Sequence, residues 1–190
     1  TGEVELTVEG LTIEQIQVPP FIEEIPQGFY QLFLATAIYH DGSTRDITGL
    51  CTWTSSDPAV ADIYTNFWVR GWALGISPGE TFIQATYQGV RGQTKLTVTG
   101  ATLESIQIDP PMAQVTPGNT VEFEATGTFT DGSEREVTHY VTWFSSTPMI
   151  GDVSNAWISR GEAAGFVQGT TTISAKSDGV EGNATLVVQP

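Results

Sequence analysis

Sliding the 190-residue chain along itself by about 90 positions brings residues 11–100 onto residues 101–190 without a gap, and roughly a third of the positions become identical. A repeat this long dictates two copies of one domain fold, because about 90 residues suffice for each copy to bury a core of its own. The matched pairs include Ile16 with Ile106, Phe33 with Phe123, Trp53 with Trp143, Asp62 with Asp152 and Arg70 with Arg160. Residues 1–10 continue the pattern, since ELTVEG from Glu5 matches KLTVTG from Lys95 and TLVVQP from Thr185. The expected organisation is therefore the last strand of a preceding repeat at 1–10, one domain at 11–100 and a second at 101–190, taken from a longer tandem array.

Within each copy the apolar residues alternate with period two, which is the strand period. Val121, Phe123, Ala125, Gly127 and Phe129 alternate with Thr120, Glu122, Glu124, Thr126 and Thr128. One face of that segment belongs to a core and the other to water. Asp131 and Gly132 then supply a hairpin turn, Asp-Gly being tolerant of positive φ. Further strands are expected at 141–144, 151–153, 158–164, 170–177 and 182–188, and Gly and Pro punctuate the gaps between them. Seven or eight short strands in about 90 residues is the arithmetic of an Ig-like sandwich.

An ordered series of motifs recurs in both copies. The first reads DGSTRDIT, TWTSSDP, RGWALG, GETFIQA and GVRG; the second reads DGSEREVT, TWFSSTP, RGEAAG, GTTTISA and GVEG. This series resembles the bacterial Ig-like domain, group 2, of the intimin and invasin adhesin superfamily. The resemblance implies an all-β fold of two tandem Ig-like Greek-key β-sandwiches, strung in a secreted or surface-anchored bacterial protein. It further implies a stalk or adhesion role, with neighbouring Ig-like repeats of the same chain as partners and with some modules binding host proteins or calcium.

Charge and chemistry narrow the function classes. Twenty-two acidic against seven basic residues give a net charge of −15, which repels nucleic acid and anionic lipid. No apolar run approaches the ~20 residues that cross a bilayer, so no membrane insertion is expected in this segment. The one cysteine, Cys51, has no internal disulfide partner; it aligns with Val141 and is expected in the core. His40 and His139 fall at non-equivalent positions and lack metal-ligand spacing, so no catalytic residue is assigned. No cofactor is expected beyond weak Ca²⁺ at the turn carboxylates Asp41 and Asp131, and no D-x-D-x-D-G loop is present.

The remaining candidates come from alignment of the two copies. Trp53, Trp143, Phe33 and Phe123 are assigned to the cores. Where the second copy has Thr120, Glu122, Glu124 and Thr128 on its outer face, the first has Tyr30, Leu32, Leu34 and Ile38. Trp72 replaces Glu162, and Trp68 belongs to an aromatic run whose poor alternation leaves its sheet face open. Outward apolar side chains that are contiguous mark a contact surface. These observations lead to a non-catalytic spacer and adhesion module of a bacterial cell-surface or secreted protein. Two alternatives stand beside it: recognition of a host protein or glycan through the apolar face of the first domain, or an accessory domain of a larger enzyme or phage structural protein. The few residues between the domains predict an extended rod.

Overall fold

The computed structural model describes residues 12–21, 23–66 and 69–190; the strand expected at residues 1–10 lies outside them. Every helix or strand among the described residues is a strand. The chain divides between Gly100 and Ala101 into two compact units.

In the first unit one sheet has the order β2 (Glu23–Pro26), β10 (Val90–Thr99), β9 (Gly79–Tyr87), β6 (Thr52–Ser55). β2 runs parallel to β10, with Glu23 opposite Leu96. The facing sheet is built on β3 (Tyr30–Leu32) and β4 (Thr36–Tyr39), two halves of one extended segment. β4 pairs with β1 (Ile13–Gln17) and β5 (Thr44–Asp46), while β3 pairs with β8 (Trp72–Gly75), which in turn pairs with β7 (Ala61–Ile63). Hydrogen bonds from Phe33 N to Gly71 O and from Ile47 N to Ala35 O carry the pairing across the interval between β3 and β4. The chain changes sheet after β1, β2, β5, β6 and β8, the Greek-key connectivity of an Ig-like sandwich.

The second unit repeats this plan. Its sheets are β12 (Met112–Val115), β20 (Val180–Val188), β19 (Gly169–Ser177), β16 (Thr142–Ser145), and β11 (Leu103–Asp109), β13 (Thr120–Glu122), β14 (Glu124–Phe129), β15 (Glu134–Glu136), β17 (Gly151–Val153), β18 (Glu162–Gly165). The expected strand at 158–164 is shorter than its pattern. Residues 159–161 turn instead, with Glu162 N bonded to Ser159 O, and Gly161 adopts φ +90°. A Cβ on Gly161 would stand 2.3 Å from Phe123 O, so the tight contact of this turn with the core strand requires glycine.

The shared motifs resolve into shared hydrogen bonds. Trp53 and Trp143 are 2 % exposed between their sheets, and each indole donates to a threonine carbonyl, Thr48 O at 3.0 Å and Thr138 O at 3.2 Å. The same threonines accept from Ala35 N and Ala125 N through their hydroxyls, both at 2.8 Å. Buried Thr81 and Thr171 each gather two serine hydroxyls and a backbone N–H from the SS-x-P segment. Phe33 and Phe123 are fully buried beside these networks. An indole N–H or a hydroxyl in a core costs stability unless it is paired, so these residues come as sets.

Candidate functional site: an apolar row on the first unit

The alternation of β3 sends Phe33 into the core and leaves Tyr30, Leu32 and Leu34 on the outer surface. Tyr30 is 41 % exposed, Leu34 44 % and Leu32 half-buried. Antiparallel register then fixes their neighbours: Tyr30 stands opposite Leu74 and Leu32 opposite Trp72, which is 39 % exposed. Tyr64 N donates to Trp72 O at 2.8 Å, which brings Tyr64 alongside β8 from the other edge. The rings of Tyr30 and Tyr64 flank β8 and stack with centroids 6.1 Å apart. The Tyr64 phenol is held above its ordinary value, first by its hydrogen bond with Tyr30 and then by desolvation.

Six side chains, Tyr30, Leu32, Leu34, Tyr64, Trp72 and Leu74, therefore form one outward row over β3 and β8. The matching positions of the second unit hold Thr120, Glu122, Glu124, Ser154, Glu162 and Ala164. β3 pairs with β8 in the same register as β13 with β18, so the two surfaces differ mainly in their side chains. Tyr64 and Leu74 are absent from the residues chosen by alternation. Leu74 was legible two places after Trp72, whereas Tyr64 joins the row through a contact across β8 that no spacing announces.

The other expected site residues fall elsewhere. Ile38 faces outward but pairs with Gln15 and Thr44, two places beyond Thr36 and away from the row. Trp68 lies outside the described residues. Asp41 and Asp131 each accept two hydrogen bonds within the turn, from the backbone N–H and the hydroxyl of Ser43 or Ser133. These bonds, the hydroxyl's first, hold both carboxyls below their usual value. Among the described residues no three His, Cys, Asp or Glu side chains come together as a metal-binding group. In the two Asp-Gly-Ser turns only the glycine takes positive φ, Gly42 at 82° and Gly132 at 80°. Cys51 is buried, and burial pushes its thiol up to about 11.

The second unit matches a known family. Residues 102–188 fit the bacterial Ig-like domain (group 2). Over 167 residues, 88% of this chain, the sequence is 35% identical to ice-binding protein 1 of Shewanella frigidimarina (strain NCIMB 400). The chain spans only 18% of that protein's length. Among solved structures, domains 5–6 of the S-layer protein SbsC superpose with a TM-score of 0.47 at 17% identity, covering 95% of this chain and all of that one. The N-terminal four Ig domains of a Dscam1 isoform give 0.32 at 13% identity, covering 96% and 48%.

Proposed function

We propose that both units are bacterial Ig-like domains of group 2 and that they act as a non-catalytic spacer and adhesion segment of a larger cell-surface or secreted bacterial protein. The observation that carries this reading is how the units use the polar residues they share. Arg70 donates to Gly49 O and Thr65 O, and Arg160 to His139 O and Asn155 O, tying two loops together in each unit. Thr48 and Thr138, Thr81 and Thr171, and Asp41 and Asp131 are likewise engaged with the units' own backbone and hydroxyls. What is repeated serves the fold, as a spacer requires. Stretching the fragment by its two ends tests this. Two separate unfolding events are expected, each releasing about 300 Å of chain, given ~3.3–3.6 Å per extended residue. Gradual extension with no resisting event would refute the spacer.

A second reading rests on the apolar row: the first unit docks a partner, with the row as its contact. Only the two phenols and the Trp72 indole offer hydrogen bonds there, so the row suits a protein surface better than a glycan. Replacing Leu32 and Leu34 together by Glu copies the second unit, so folding is expected to be unchanged. Binding to extracellular-matrix proteins, screened beside a glycan array with and without Ca²⁺, is expected to be lost. Binding that survives the double substitution removes the row as the contact.

A further inference from the structure

The second unit carries a groove on its other sheet, and most of the residues that line it differ from their counterparts in the first. It is an open groove of about 620 Å³ over β16, β19 and β20, between Tyr140 and the turn at residues 177–180. Sites for small molecules commonly measure about 300–1,000 Å³. Register builds its floor: Thr142 stands opposite Lys176, and Lys176 opposite Glu181. Phe144, two places from Thr142 on the same face, is 47 % exposed. The Lys176 ammonium sits 5.6 Å from the Phe144 ring centroid and 3.0 Å from a Glu181 carboxylate oxygen. Glu181 is held below its usual value, first by that ammonium. Ser174 and Asn183, hydrogen-bonded to each other at 2.6 Å, extend the polar floor beyond the pair.

From this arrangement we infer that the second unit binds a neutral saccharide, with Phe144 and Tyr140 against the C–H face of a sugar ring and Lys176 and Glu181 on its hydroxyls. A sugar ring has an apolar face and a rim of groups that both donate and accept, and the groove offers both kinds of surface side by side. An ammonium carries three N–H groups and a carboxylate about four acceptor sites, so their mutual bond leaves donors and acceptors for hydroxyls. Charge excludes the nearest competitors. An anion meets Glu181, Asp178 and a chain of net charge −15. A cation is repelled by the Lys176 ammonium, 5.6 Å from the Phe144 ring centroid. The first unit is a built-in control, because Leu50, Thr54, Thr86 and Arg91 stand where the second has Tyr140, Phe144, Lys176 and Glu181. The proposal is independent of whether the apolar row of the first unit docks a partner.

The test is titration of the ¹⁵N-labelled 190-residue chain with cellotetraose, maltotetraose, N-acetylchitotetraose and mannotetraose, each followed by amide chemical shifts. Saturating shifts are expected at Lys176, Gly179 and Glu181 with at least one of these sugars, and none at Thr86, Gly89 and Arg91. Phe144→Thr, which copies the first unit, is expected to weaken binding about tenfold or more at unchanged melting temperature. Lys176→Thr, again a copy of the first unit, is expected to do the same should the first variant fold poorly. The proposal is overturned by the absence of shifts at the groove for all four sugars, by equal shifts in both units, by full binding in both variants, or by tighter binding of tetragalacturonate.

Discussion

Cys51 shows how one residue sets a pH response. Its thiol ordinarily titrates near 9 and is raised to about 11, mainly because burial disfavours the thiolate, with Arg70 acting in the opposite direction. Below about pH 9 the thiol is protonated in both the folded and the unfolded chain, and its full contribution is present. Between about 9 and 11 only the unfolded chain releases the proton, so stability falls as pH rises through that window. Cys51→Val, the residue found at position 141, is expected to remove this part of the dependence. Thermal unfolding of both proteins from pH 7 to 11 checks it: the curves should diverge above pH 9, and parallel curves would show a thiol that titrates normally. The burial of Cys51 was legible from its alignment with Val141. The cause of its shift needed the packing around it.

At the scale of elements, the recurrent R-x-(I/V)-T motif ends on a threonine that stitches three segments. Thr138 accepts from Ala125 N through its hydroxyl, takes the Trp143 indole on its carbonyl, and receives the Glu136 carboxylate on its own N–H at 3.0 Å. Thr138→Val keeps the shape and leaves the Ala125 N–H buried without its acceptor, a loss expected to cost about 1–3 kcal/mol. The same change at Thr126, which is exposed on β14, is expected to stay within about 0.5 kcal/mol. Chemical denaturation of the two variants gives the comparison. Alternation in the sequence found the strand and its inner face, because one side of β14 meets a core. The split between β13 and β14 and the turn before β18 were not legible, since both arise where Phe123 N bonds Gly161 O across the sheet. That contact joins residues far apart in the chain.

At the scale of the whole molecule, repetition predicts that damage stays local. Truncating Trp143 to Ala is expected to destabilise the second unit by about 3–5 kcal/mol, a large share of the 5–15 kcal/mol typical of a domain. The melting transition of the second unit should fall while that of the first, whose core is built on Trp53, holds its temperature. Differential calorimetry reads both transitions at once. A single transition shifted as a whole would show that the two units do not unfold separately. The same logic separates their surfaces. The first unit carries the apolar row on β3 and β8, and the second carries the groove over β16 and β19. Each unit therefore serves as the other's natural control.

The residues alone determined the all-β class, the repeat, the core tryptophans and the outward direction of Tyr30, Leu32 and Leu34. All of these follow from periodicity and self-alignment, which are local or copied signals. Tertiary structure decided which outward residues meet. Tyr64 joins Tyr30 across β8, Ile38 does not join the row, and Lys176 comes to lie between Phe144 and Glu181. The physical reason is that strand period specifies a face, whereas cross-strand register and sheet order specify neighbours, and those depend on pairings between segments remote in sequence.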